Sequence, residues 1–511
     1  MNNKQIEDLL ISGRKGTAQV VHARELAAQI ESFGYTDRAA QEAGFPNIFA
    51  YAEHLFSCFQ ADPKPAERIV RSPNRTVLWA EIKCAMRKFS LSLAYAVPWM
   101  ALLTLEYLRP DALRVSPELG GALSLSLIAS LTTSGGFIQM ISRSGNFYYG
   151  LKEPVLARQT CMSLLNLGLT CSLLLAVLGM MLGFYFRLFT GNYLVLAAIN
   201  YVALSLLWMF CALLSVQGRG WCIPLVFLLS ALVSGLLRIF AHSGATILLM
   251  LWPLAAVLAA LGFTLAGFHR AEKGHAGAGG SVRPRLGVFA ISLVPFYLYG
   301  TVYFSFLFAD RLTAGSAIPW VSGLSFGIDP AYKRGMDLAL LAFLVTAALA
   351  EYLGDSFLRF WHQQAAELPQ TASQQLIARL RRRHWTIMLA VFTVFVTTSL
   401  GAWLAFSRSD TLSFSPRLLQ TAILGGLGYL LLNLALLDTI ILASVNASSL
   451  ALGPVTLGLV VNVLTGYELS HLWGVQYAAM GLLAGSAVVL WKCHAAVRQI
   501  LRSPDYHYSV S

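Results

Sequence analysis

Charge is scarce in this sequence. Only 12% of its 511 residues are Asp, Glu, Lys or Arg, whereas 56% are hydrophobic and the mean hydropathy is +0.62. A water-soluble domain carries about 25% charged residues, so the soluble class is excluded and a polytopic membrane protein is implied. Two patterns that carry common enzyme chemistry are absent too: there is no G-x-x-x-x-G-K-S/T phosphate loop and no H-E-x-x-H. ATP hydrolysis and the zinc-protease type of hydrolysis therefore have no visible home, and no catalytic residue, cofactor or metal site is expected. Cysteine is sparse and odd in number: seven residues, with no C-x-x-C pair and most inside apolar stretches. They read as small core residues rather than as a disulfide framework or a zinc site. Finally, the first 88 residues lack the basic start, apolar run and small-residue cleavage site of a signal peptide, which places the N-terminus in the cytoplasm.

That region, 1–88, reads as a small helical cytoplasmic region and linker. In TAQVVHARELAAQIESF the residues Val20, Val21, Ala27, Ile30 and Phe33 recur at helical spacing, and Gly34 stops the helix. Pro46 suits the first turn of a second helix, NIFAYAEHLFSCF, and PKPAERIVRSPNR is a proline-punctuated linker. His22 and Glu25 lie one turn apart, but nothing completes a metal site around them.

Twelve apolar spans follow, at about 90–109, 119–142, 159–182, 193–216, 223–241, 244–268, 286–308, 337–358, 385–407, 417–443, 447–466 and 473–497. Each is near the ~20 residues that cross a bilayer. The distribution of Lys and Arg supports this count, because a missed span would scramble its alternation between loops. Beyond the N-terminal region, loops assigned to the inside carry 16 basic residues and those outside carry 8. The net charge of +12 is thereby assigned to the cytoplasmic face rather than to a nucleic-acid partner.

The Gly-rich linker 269–285 divides the spans into a first six-helix bundle, 89–268, and a second, 286–500, leaving a cytoplasmic tail at 501–511. The first helix of each half carries a proline at similar depth, Pro98 and Pro295. Halves of equal orientation imply a symmetry axis along the membrane normal, and matched prolines are hinge candidates. Proline is also simply common in membrane helices.

Polar residues inside spans are functional hypotheses by default. Glu351, Asp438, Arg238, Asn433 and Asn166 are the candidates for a substrate cavity or coupling site. Three of them have a plainer reading: Asp438 as a helix-to-helix hydrogen bond, Arg238 snorkelling to the interface, and Asn166, with Asn200 and Asn462, as a link between helices. Asp355 and Arg359, spaced i,i+4, read as an interfacial ion pair, and Asp310 with Arg311 as an adjacent pair at the outer surface. Arg379, Arg381, Arg382 and Arg383, with His384, could receive an anionic substrate or lipid at the inner mouth, or anchor the chain to anionic lipid.

The chain resembles the multidrug/oligosaccharidyl-lipid/polysaccharide (MOP) exporter superfamily over about residues 80–505, on its twelve spans, its two halves and the prolines in the first helix of each. More narrowly it is similar to the membrane subunit of Pel-type exopolysaccharide export, on AYAVPWM in the first span, YLGDSFLRFW at the end of the eighth and LRSPDYHY after the last. The resemblance implies an all-α MATE- or flippase-like fold in the bacterial inner membrane, with both termini cytoplasmic and a cavity worked by alternating access. It implies export of a polysaccharide or lipid-linked saccharide, anionic or neutral, alongside membrane lipids, a cytoplasmic glycosyltransferase and other export components. The alternatives left open are cation-coupled efflux of small organic cations on the same fold, a membrane-embedded glycosyltransferase or polymerase, and a scaffold for a synthesis complex.

Overall fold

A computed structural model describes residues 37–42, 44–61, 116–150, 153–240, 245–273, 286–318, 327, 329–367, 373–407, 415–445 and 449–502, with isolated positions at 27, 86, 89, 90 and 93. The helix at 17–33, the first span with Pro98, the Gly-rich part of the linker at 274–285 and the motif after residue 502 lie outside the described residues. Two compact units are present: Met1–Lys83 with Trp361–Leu376, and Cys84–Phe360 with Ile377–Ser511.

In the smaller unit, α1 (Asp37–Glu42) and α2 (Ile48–Ala61) are joined through Gly44, whose φ of +86° is open to glycine at little cost. Pro46 lies just before the second helix rather than in its first turn, because Asn47 takes the capping position: its Oδ1 accepts a hydrogen bond from Ala50 N at 2.9 Å. Asp37 Oδ1 accepts from Ile48 N at 2.9 Å, and Phe45 packs its ring on Tyr51.

The larger unit is an all-α polytopic membrane fold. Its helices are α3 (Pro117–Gly150), α4 (Pro154–Tyr185), α5 (Gly191–Val216), α6 (Cys222–Phe240), α7 (Ala245–Lys273), α8 (Leu286–Ser316), α9 (Pro330–Glu367), α10 (Ser373–Ser407), α11 (Pro416–Ser444), α12 (Ser449–Trp473) and α13 (Ala478–Ile500). Ten of them are long and apolar enough to cross a membrane, and α6 supplies a shorter apolar helix, Cys222–Leu237. Eleven of the twelve expected spans thus coincide with helices, and α6 and α7 separate where the sequence places a turn. In hydrocarbon a chain must satisfy its own amides, which is why these apolar runs are continuous helices. The four cysteines 161, 211, 222 and 493 are buried and Cys171 partly so, all as free thiols.

Local sequence sets where helices begin. Pro154 and Pro416 occupy first-turn positions that need no amide hydrogen, and Ser415 Oγ caps α11 by accepting from Leu418 N at 3.3 Å. Asp329 does the same for α9, its Oδ1 accepting from Ala331 N at 2.7 Å and Tyr332 N at 3.1 Å, with Pro330 between. That cap fixes the rotation at which Tyr332, Lys333 and Asp337 leave the helix.

The first half is held by neutral polar contacts. Ser126 and Ser130, one turn apart on α3, receive Asn200 Nδ2 (2.7 Å) and Trp208 Nε1 (3.3 Å) from α5, while the Tyr201 hydroxyl meets Thr133 Oγ1 at 3.0 Å. The two halves meet where α8 crosses α3. Gly135 and Gly136 lie against Tyr297, Gly300, Thr301 and Phe304, so closely that a β-carbon on Gly300 would fall on the Gly135 carbonyl oxygen. This is small-residue packing, which lets membrane helices approach to backbone contact without a hydrophobic driving force.

Candidate functional site: two ionic clusters in the second half

The second half concentrates its buried charge at two levels. At one end, where α9 begins, Asp310 and Arg311 of α8 meet Tyr332, Lys333 and Asp337 of α9 and Tyr429 of α11. Asp310 is fully buried, and its Oδ2 accepts from the Tyr332 hydroxyl at 2.8 Å. The Arg311 guanidinium donates Nη1 to Tyr429 Oη at 2.9 Å, lies 3.5 Å from Asp310 Oδ2, and donates Nη2 to Asp337 Oδ1 at 3.2 Å. Lys333 Nζ completes the set, 3.2 Å from Asp337 Oδ2. Two carboxylates are matched by two cations, the arrangement that makes buried charge tolerable in low dielectric. The sequence expectation placed Asp310 and Arg311 at the outer surface. The structure corrects this, because α8 continues to Ser316 and α9 and α11 close over the pair.

At the other end, where α10 begins, Asp438 of α11 is fully buried between two imidazoles. His384 Nε2 of α10 lies 2.7 Å from Asp438 Oδ1, and His494 Nδ1 of α13 lies 3.3 Å from Oδ2. The rings of His384 and His494 stack with centroids 5.4 Å apart, with Phe357 against the former and Trp385 against the latter. Between the two levels, the Asn433 amide donates to Thr346 Oγ1 and, at 3.4 Å, to the Phe343 carbonyl, while the Tyr299 hydroxyl meets Thr439 Oγ1 at 3.2 Å. Asn462 Nδ2 donates to the Phe306 carbonyl at 3.0 Å, tying α12 to α8.

The expected candidates therefore separate. Asp438 and Asn433 are buried and join helices, and Asp438 makes the helix-to-helix bonds anticipated for it. Glu351 and Asn166 lie on exposed faces of α9 and α4, and the Arg238 side chain is outside the described residues. Asp355 and Arg359 form the i,i+4 ion pair, 3.1 Å apart and about half exposed. Helix α8 runs unbroken through Pro295, which is exposed, and Pro253 and Pro454 are likewise interior to α7 and α12. Arg379, Arg381 and Arg382 are exposed on α10, and Arg383 turns inward to donate Nη2 to Ser356 Oγ at 3.3 Å with its guanidinium over the Phe360 ring. Along α10 a shallow groove is lined by Ala378, Arg381, Arg382, Trp385, Thr386 and Leu389. Sequence reasoning missed Asp337 and His494. The available signal was that each is a rare ionisable residue close to a span end.

The fold defined by these helices is that of MATE transporters of the MOP superfamily. A mutant of the Vibrio cholerae MATE transporter VcmN matches with a TM-score of 0.56 at 14% identity, over 83% of this chain and 98% of that one. An outward-facing multidrug resistance MATE family transporter of the MOP superfamily gives 0.54 at 13%, over 84% and 97%. A MATE protein in complex with MaL6 gives 0.53 at 14%, over 82% and 96%. No protein-family model and no curated protein sequence matches the chain. The superfamily resemblance read from the sequence thus holds at the level of the fold, while the narrower likeness to Pel-type subunits rests on sequence patterns.

Proposed function

We propose that this protein is an inner-membrane transporter that exports a lipid-linked or polymeric saccharide by alternating access between its two halves. The observation that carries the substrate class is the groove on α10. Arg381 and Arg382 stand one turn from Trp385, with Leu389 a turn further on. Guanidinium groups bind phosphate oxygens in a bidentate way, an indole face accepts a sugar ring, and an aliphatic wall suits a lipid chain. The buried carboxylates support the same choice over efflux of organic cations. Asp310 and Asp337 are bonded to Arg311 and Lys333, and Asp438 is enclosed by imidazoles. An organic cation would have to displace these protein partners to reach a buried carboxylate, at the cost of stranding them.

Lysine substitution separates substrate recognition from lipid anchoring. Arg381→Lys with Arg382→Lys keeps the charge that anchors a loop to anionic lipid but loses the planar fork that grips a phosphate. Saccharide export in cells carrying the double variant should fall at least fivefold at unchanged protein level. Unchanged export at that level would assign the arginines to anchoring and remove the support for this substrate class.

A further inference from the structure

We infer that His384, Asp438 and His494 form a three-ligand binding site for a divalent transition metal of the Zn2+ class at the end of the second half where α10 begins. The inference is independent of which substrate the protein carries, and its test reads metal binding directly.

The first argument is charge. Asp438 is fully buried, and among the described residues its bonded partners are the two imidazoles and no Lys or Arg reaches it, unlike Asp310 and Asp337 at the opposite end. A carboxylate inside a membrane bundle is costly unless a cation compensates it, and a divalent ion held by Asp438 and both imidazoles would do so. Geometry supplies the second argument. One ligand atom from each residue can be chosen so that all three lie within 4.8 Å of one another. Ligands at about 2.0 Å from a tetrahedral Zn2+ sit about 3.3 Å apart. The imidazoles now contact different oxygens of Asp438, His384 Nε2 on Oδ1 at 2.7 Å and His494 Nδ1 on Oδ2 at 3.3 Å, so side-chain rotations of at most about 1.5 Å would bring one atom of each residue to tetrahedral spacing.

Donor type gives the third argument. Two imidazole nitrogens and one carboxylate oxygen suit zinc and its neighbours, whereas Ca2+ and Mg2+ prefer six or more oxygen ligands. The three ligands come from α10, α11 and α13, so no short sequence motif announces them, and a bound ion would tie three helices together. His494 is the accessible member, its side chain 19% exposed against 3% for His384 and 0% for Asp438. That exposed flank is where a hydrated ion enters and where a fourth ligand, water, would remain.

The test is calorimetric titration of the purified, chelator-stripped full-length protein with Zn2+, repeated with Co2+ while following its visible absorption. Wild type should bind one equivalent of Zn2+, give the intense spectrum of tetrahedral Co2+, and show no heat with Mg2+. His494→Gln, which sits at the accessible flank and disturbs packing least, should weaken Zn2+ binding at least tenfold, as should His384→Gln. If wild type takes up no more Zn2+ than the variant carrying both His384→Gln and His494→Gln, or gives only the weak spectrum of hydrated Co2+, the site does not exist. The result on wild type stands even if His384→Gln fails to fold.

Discussion

Replacing Arg311 by Met should destabilise the protein by about 3–5 kcal/mol, the cost of removing one partner from a buried ion pair. The guanidinium is the hub of its cluster: it reaches Asp310, Asp337 and Tyr429 from one position. Without it, among the described residues, Asp310 keeps only the Tyr332 hydroxyl, and its Oδ1 already has no hydrogen-bond partner. Thermal unfolding of the detergent-purified variant should show a large drop in melting temperature, and expression should fall with it. Adding Asp310→Asn should recover part of the loss, because an amide leaves no charge behind. A pair at the outer surface, as the sequence alone suggests, would respond within about 0.5 kcal/mol. The experiment thus decides between burial and exposure of this pair.

Gly300→Val should be comparably severe for a different reason. A β-carbon on Gly300 collides with the Gly135 carbonyl, and one on Gly135 would lie 2.9 Å from the Gly300 carbonyl oxygen. Backbone oxygens cannot rotate away as side chains can, so α3 and α8 must separate along the seam between the halves. Overpacking of this kind costs about 1–3 kcal/mol in stability, and displacing the seam should also abolish transport. Gly262 on α7 provides the control, since a β-carbon there meets nothing within 4 Å. Gly262→Val should leave both melting temperature and transport near wild type. Equal behaviour of the two variants would show that the seam is not closely packed in the membrane.

The contrast between Asp438 and Glu351 shows what the sequence could convey. Span positions were legible because the hydrocarbon thickness imposes a run length that survives without knowledge of packing. Depth was legible as well: Asp438 stood out as an ionisable residue inside a span, and it is buried. Its partners were not legible, because His384 and His494 lie 54 and 56 residues away and only helix packing selects α10 and α13 as neighbours. For Glu351 depth did not give orientation. Helix α9 is apolar around most of its circumference, so periodicity does not say which way the carboxylate points, and it emerges on an exposed face. The same limit applies to Asp310 and Arg311, whose burial follows from Tyr332, Asp337 and Tyr429 arriving from two other helices.

Translocation of a lipid-linked saccharide through this fold is read out by flux in proteoliposomes. Purified protein is reconstituted with a fluorescent lipid-diphosphate saccharide, and the label exposed on the opposite leaflet is followed over time. Protein-dependent transfer is expected, reduced at least fivefold by Arg381→Lys with Arg382→Lys and abolished by Gly300→Val, with Gly262→Val near wild type. No transfer of the saccharide, together with gradient-driven uptake of an organic cation by the same vesicles, would contradict it.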